Sequence, residues 1–132
     1  MSAARSRSQR EEGSAVVDFV LVSVLVVLLF LGVVQLGVAL HVRNTLVAAA
    51  AEGARYAANA DREPDDGAQR ARALIEESFG SDLVQDVAAG FEDVAGSRTV
   101  VVEVRARLPL VGLLGPDQTL VVRGHAWDEG QP

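Results

Sequence analysis

The distribution of polar residues divides the chain near residue 40. From Phe19 to Leu40 there are 22 consecutive residues without a charge, and only Ser23 and Gln35 are clearly polar. A helix of this length spans about 33 Å, enough to cross the hydrocarbon core of a bilayer, and it lacks the polar face of a soluble core helix. We therefore expect a membrane span over about 19–40. The alternative, a cleaved secretory signal, would have a shorter apolar region of about 7–15 residues.

The segment after the span is rich in alanine, the best helix former, so the membrane helix should continue outward through residues 48–58. Ala49, Gly53 and Ala57 are spaced four apart and form a stripe of small side chains on one helix face. Such a stripe lets another backbone approach closely. It suits packing against the chain's own head and packing against a neighbouring subunit, and both alternatives stay open here.

A second helix and a small sheet follow. Proline, glycine and charges across Asp61–Gly67 predict a loop, and residues 68–79 predict a helix that ends at Gly80. The apolar face expected for this helix consists of Ala71, Leu74, Ile75, Ser78 and Phe79. Residues 81–95 suit either a strand or another helical turn, and we expect a strand.

Two later segments alternate in polarity and predict strands: Thr99–Leu108 and Thr119–Trp127. Their inward positions should be Val100, Val102, Val104, Ala106 and Leu108 in the first, and Leu120, Val122 and Ala126 in the second. Pro109–Pro116 between them is unusually apolar; we expect it to complete the small core, the alternative being an exposed contact patch. The fold class is α+β: a long N-terminal transmembrane helix, a small helix, and a head with a two- or three-stranded antiparallel sheet.

Composition narrows the possible functions. The 12 basic residues are all arginine, and with 18 acidic residues the net charge is -6, which argues against a nucleic-acid binder. The absence of cysteine excludes disulfides, cysteine-bound zinc and a thiol nucleophile, and two histidines cannot form a histidine-rich metal cage. No nucleophile elbow, zinc-protease or phosphate-loop motif occurs. We expect no catalytic residues, no metal, no cofactor and no small-molecule substrate.

Arginines flank the span unequally. Arg5, Arg7 and Arg10 precede it, whereas Arg43 and Arg55 follow it within about 20 residues. Because positive charge is retained on the cytoplasmic side, we expect a single-pass protein of the cytoplasmic (inner) membrane with its N-terminus in the cytoplasm and its C-terminal head outside.

The junction before the span is the most specific feature of the chain. An arginine-rich leader ends at Gly13, and Asp18 is a lone carboxylate at the start of an otherwise uncharged helix. A carboxylate there costs about 2–3 kcal/mol at depth and less near the interface. Asp18 therefore either lies among the lipid headgroups, helped by the positive end of the helix dipole, or has a partner.

This arrangement resembles a type IV prepilin, in which a peptidase on the cytoplasmic face cuts after a glycine. The resemblance implies that Gly13 is the cut site, Ser14 the new first residue, and Asp18 the acidic fifth residue that pairs with the N-terminal amine of a neighbouring subunit. Phe19 stands where the Flp-type branch carries an aromatic residue. The family most often has glutamate at the acidic position, so Asp18 is one methylene shorter.

The resemblance extends to the TadE family of minor pilins over about residues 13–58. It is carried by two further stretches: Val42-Arg43-Asn44-Thr45-Leu46, and Ala49-Ala50-Ala51-Glu52-Gly53-Ala54-Arg55-Tyr56-Ala57-Ala58. The resemblance implies a protein inserted in membrane lipid, processed by a prepilin peptidase, and assembled with other pilin or pseudopilin subunits of a Tad/Flp pilus.

The expected organisation is a leader at 1–13, an extended N-terminal helix at 14–59 and an extracytoplasmic head at 60–132. The alternative function is that of a single-pass membrane protein whose head binds a partner or ligand and never joins a filament.

Overall fold

The structure, a computed structural model, describes residues 2–59, 61–109 and 118–128, with side chains described from Arg10 onward. Five elements follow in order: α1 (Ser2–Ala58), α2 (Pro64–Phe79), β1 (Val84–Val94), β2 (Ser97–Arg107) and β3 (Thr119–Trp127). This is the α+β class expected from the sequence, with three strands in the sheet. The chain divides into two compact units, Met1–Gly37 and Val38–Pro132.

The described part of the first unit is helix alone, and its large apolar side chains from Val16 onward are exposed. Phe19 is 73% exposed and Phe30 is 69% exposed. The Ser23 hydroxyl donates to the Phe19 carbonyl at 2.7 Å, so this polar group is satisfied within the helix. Among the described residues, α1 contains one helical segment, within Arg10–Ala58, whose length and composition suffice to cross a membrane.

The second unit packs the C-terminal part of α1 and the whole of α2 against one face of the sheet. Burial along α1 begins at Val42 and continues one turn later at Leu46. From there the buried positions of α1 are small residues. The core consists of Val42, Leu46, Ala49, Ala50, Ala54, Ala57, Ala58, Ala71, Ile75, Val84, Val100, Val102, Val104, Ala106 and Val122.

Helix α2 begins earlier than the sequence predicted. Pro64–Gly67, expected in a loop, form its first turn. Proline is well suited to this position because the first helical N–H has no intrahelical partner. The Glu63 N–H donates to the Asp66 carboxylate at 3.0 Å, which caps the helix start.

The end of α2 agrees with the expected glycine cap, but its apolar face needs one correction. Gly80 has a φ of 79°, and its N–H donates to the Glu76 carbonyl at 2.8 Å. Ser78, placed on the apolar face by periodicity, is exposed. Its hydroxyl donates back to the Leu74 carbonyl at 3.0 Å, so the side chain satisfies itself locally without a core partner.

The sheet has the order β1-β2-β3, and both strand pairs are antiparallel. The strand expected within 81–95 is present as β1. It turns into β2 through Ala95 and Gly96, whose φ angles are 54° and 80°, as a two-residue hairpin requires. Asp93 accepts the Gly96 N–H at 2.9 Å and fixes the turn.

The alternation predicted for β2 and β3 is present. Val100, Val102, Val104 and Ala106 are buried against the helices, as is Val122 of β3. Thr99, expected on the polar face, does lie there but is buried, because it is directly opposite Trp127 in the β2–β3 register. The expectation that the apolar loop Pro109–Pro116 completes the core falls almost entirely outside the described residues.

Candidate functional site

The four junction residues lie on the exposed surface of α1. Ser14 and Asp18 are four residues apart, so they lie on the same side of the helix. A Cβ added at Gly13 would meet nothing within 4 Å among the atoms that the structure describes, so these leave the backbone there open to another protein. Among the described residues, Asp18 has no hydrogen-bonding or ionic partner. The roles predicted for Gly13, Ser14, Asp18 and Phe19 all require other molecules and remain predictions.

The stripe of Ala49, Gly53 and Ala57 packs against α2 of the same chain. A Cβ added at Gly53 would lie 2.5 Å from the Gly67 carbonyl oxygen and 2.9 Å from the Ala71 Cβ. A Cβ added at Gly67 would lie 2.5 Å from the Gly53 oxygen and 2.7 Å from the Ala57 Cβ. The small side chains therefore bring two helix backbones into direct contact within one molecule.

A second stripe of small residues lies beside the first and faces the sheet. Ala50, Ala54 and Ala58 are all buried. A Cβ added at Gly124 of β3 would collide with the backbone of Ala50 and Ala51. The two stripes of α1 thus serve two contacts, one with α2 and one with β3.

Sequence reasoning did not identify Gly67 or Gly124 as contact residues. The available signals were a glycine near the start of a helix and a glycine inside an alternating strand, where it often marks the close approach of another backbone.

The outer face of the sheet, turned away from the helices, carries an ion-pair network centred on Glu103. One carboxylate oxygen of Glu103 binds Arg105, with Nε at 3.1 Å and Nη2 at 3.0 Å. The other binds Arg123, with Nε at 2.9 Å and Nη2 at 2.8 Å. Hydrogen bonds from Arg105 and then Arg123 lower the pKa of Glu103 below its ordinary value of 4.5. Arg123 also approaches Glu92 of β1 at 3.9 Å.

A groove of about 590 Å³ lies where the end of α1 meets the end of β3. Its side chains include Arg55 and Tyr56 from the helix and His125 and Trp127 from the strand. The Arg62 guanidinium stacks 3.5 Å from the centre of the Tyr56 ring, and Trp127 is 65% exposed. Among the described residues, no group of three or more histidine, aspartate or glutamate side chains is placed to hold a metal ion.

A protein-family model matches the N-terminal part of the chain. The family model described as TadE-like protein matches residues 13–55. These residues are TadE-like. Curated proteins and solved structures gave no match to the chain.

The TadE-like segment begins at Gly13, the predicted cut site, and includes both Asp18 and Gly53. The structure gives Gly53 a physical role, because this TadE-like glycine lies directly against the backbone of α2, where an added Cβ would be 2.5 Å from the Gly67 carbonyl oxygen. The ion-pair network of the sheet and the strand side of the groove lie beyond residue 55 and are therefore features of the head outside the matched segment.

Proposed function

We propose that this chain is a membrane-anchored minor pilin or pseudopilin that takes part in assembling a Tad/Flp-type pilus. The observation that carries the proposal is the TadE-like match over residues 13–55, a continuous segment that includes Gly13, the uncharged span and Gly53. The exposed apolar surface of α1 between Val16 and Leu40 supports it, because such a surface needs lipid or other apolar helices around it.

In the proposed mechanism a prepilin peptidase cuts between Gly13 and Ser14, leaving a new amine four residues before Asp18. The span then anchors the chain in the inner membrane with the head outside. Asp18 has no partner among the residues whose side chains the structure describes, and a lone carboxylate costs energy in an apolar environment. The Ser14 amine of a neighbouring subunit supplies the opposite charge, and their attraction is strong where the dielectric is low.

The experiment is removal and restoration of this chain in cells that make the pilus. We expect removal of the chain to reduce surface pili sharply and the full chain to restore them. The protein should be found in the membrane fraction of both the parent strain and the complemented strain. A peptidase-deficient strain serves as the control, because it should carry the same protein with a higher mass. Normal pili in cells that lack the chain would contradict the proposal.

The groove beside Trp127 favours a second candidate function, that of an anchored receptor whose head binds a partner. Trp127 is 65% exposed and lines the groove with His125 and Arg55, and tryptophan and arginine are enriched among the residues that dominate binding at protein interfaces. Trp127→Ala separates the two candidate functions. If the chain is a pilus subunit whose groove binds nothing, cells with this variant keep their pili. If the chain is a receptor, the variant loses its extracytoplasmic partner, and removal of the leader is not needed for function.

A further inference from the structure

Among residues 2–59, 61–109 and 118–128, which the structure describes, the outer edge of β3 presents a regular row of backbone groups without a partner strand. Leu108 donates to the Gln118 carbonyl at 3.0 Å, and Asp128 donates to the Arg98 carbonyl at 3.1 Å. In an antiparallel pair, every second residue of a strand makes backbone hydrogen bonds to the partner strand. The bonds at Gln118 and Asp128 therefore show that the even-numbered residues of β3 are hydrogen-bonded to β2. The odd-numbered residues point their N–H and C=O groups outward: Thr119, Val121, Arg123, His125 and Trp127. Their side chains are all exposed.

The outer edge of β1 has the matching parity. The even-numbered residues of β2 bond to β3, so its odd-numbered residues bond to β1. Their partners in β1 are Asp86, Ala88, Gly90, Glu92 and Val94. The odd-numbered residues of β1 therefore direct their backbone groups outward. Side chains of Asp86, Ala88 and Glu92 are exposed on the same sheet face as Arg123.

The direction of α1 restricts how two copies can join. Gly124 of β3 packs against the backbone of Ala50, and Trp127, further along β3, lines the groove together with Ala58, further along α1. Strand β3 therefore runs in the same direction as α1 from residue 38 onward. Copies anchored in one membrane leave it in the same direction. Antiparallel pairing of two β3 edges would reverse α1 of one copy from residue 38 onward. Pairing of β3 with β1 of a second copy is parallel and keeps this part of α1 in the same direction in both copies.

The charges of the two edges are complementary. β1 carries Asp86, Glu92 and Asp93 and no base, whereas β3 carries Arg123 and no acid. Through β2, Val121 is level with Arg105 and Arg105 with Asp86. A sideways translation of the head therefore places Val121 beside Asp86 of the next copy and brings Arg123 diagonally next to that carboxylate.

We infer that the β3 edge of one copy binds the β1 edge of a second copy in parallel, so that heads join head to tail into one continued sheet. The inference rests on the proposed function only for the shared direction of the anchors. Because a head-to-tail contact uses different edges of each copy, it does not close after two copies and can propagate.

Cysteine cross-linking of the full chain in membranes tests this interface, since the chain has no cysteine of its own. We expect the double variant Val121→Cys with Asp86→Cys to give, on oxidation, a ladder of dimers, trimers and longer species. Coexpression of the two single variants should give dimers only, because each copy then has one reactive edge. The double variant Val121→Cys with Ala88→Cys tests whether β1 of the second copy is shifted by two residues along β3.

The controls separate this inference from the proposed function. Val121→Cys with Glu77→Cys, an exposed position on α2, should give no ladder. Dimers from Val121→Cys alone would instead show β3 against β3. That result, or no ladder from either β3–β1 pair, overturns the head-to-tail interface even where cells still make pili. A ladder in cells whose pili do not depend on the chain would leave the interface standing and remove the proposed function.

Discussion

Gly53 of α1 and Gly67 of α2 lie against each other where the two helices cross. A Cβ on either residue would lie 2.5 Å from the carbonyl oxygen of the other, a separation that real side chains do not reach. Two helices can approach this closely only when both contact residues lack a side chain. This reciprocal contact fixes α2 on the extended helix and explains why the alanine-rich segment contains one glycine at this position.

We expect Gly53→Ala to lower the stability of the head by about 1–3 kcal/mol, the usual cost of overpacking. Intrinsic helix propensity acts in the opposite direction, because alanine gains up to about 1 kcal/mol over glycine in a helix. Thermal unfolding of the detergent-solubilised full chain, followed by circular dichroism, measures the net effect. Gly37→Ala is the control, since a Cβ there meets nothing within 4 Å; equal melting temperatures for both variants would contradict the crossing.

Two glycines of the sheet should respond differently to the same change. Gly124→Ala drives a methyl group into the backbone of α1 at Ala50, and we expect a clear loss of stability. Gly90→Ala in β1 meets nothing within 4 Å and should be neutral or slightly stabilising. Urea midpoints of the two variants provide the comparison. A lower midpoint for Gly90→Ala than for Gly124→Ala would be inconsistent with the packing of β3 on α1.

The Glu103 network predicts a pH dependence. The pKa of the Glu103 carboxyl group is lower in the folded chain than its ordinary value of 4.5. The stability that this ionised carboxylate contributes to the fold is therefore fully present above pH 4.5 and is lost as the pH falls through the lowered pKa of the folded chain. Glu103→Gln removes the charge and should flatten the acid side of a plot of melting temperature against pH. Glu92→Gln, which removes only an exposed contact at 3.9 Å, is the control and should leave that plot close to wild type.

The periodicity of apolar residues in the sequence is sufficient to predict an element when one face of that element is buried. The strands containing Val102 and Val122 and the helix containing Ala71 and Ile75 were all found in this way. It failed at the start of α2, because Pro64 and Gly67 are loop signals in isolation. Here the proline occupies the first helical turn, and the glycine is required by Gly53, a contact 14 positions earlier that no local pattern reveals.

The stripes of α1 show the same limit. Spacing alone identified Ala49, Gly53 and Ala57 as a surface for close packing, but it could not choose between a second helix of the same chain and another subunit. The packing depends on where α2 lies, which is a tertiary property. Likewise, Thr99 reads as a polar strand position, and its burial follows from Trp127 directly opposite it.

At the junction, Gly13 and Asp18 should fail in different ways. Gly13→Val places a branched side chain next to the bond to be cut, so we expect the leader to remain attached while the uncharged span still inserts. Asp18→Ala leaves the cut site intact and lowers the cost of insertion, but it removes the partner of the Ser14 amine. We expect it to be processed, at least in part, and stable in the membrane, yet unable to support pili.

Asp18→Glu is the matched control, since it keeps the charge and introduces the glutamate that type IV prepilins, which the junction resembles, most often carry at this position. It should support pili as well as the wild type does. Immunoblots of membrane fractions report processing of each variant, and electron microscopy reports pili. Normal pili with both Gly13→Val and Asp18→Ala would remove the roles assigned to these two residues.

The function proposed for this chain requires that it is processed to a pilus subunit, and the mass of its N-terminus in the membrane fraction shows whether the leader has been removed. Mass spectrometry of the protein purified from membranes should find a chain that begins at Ser14 and retains the whole span. A chain that keeps Arg5, Arg7 and Arg10 would be an uncleaved anchor, and one that begins near residue 50 would be a secreted head. Either result would contradict the proposal that the chain is a processed pilus subunit.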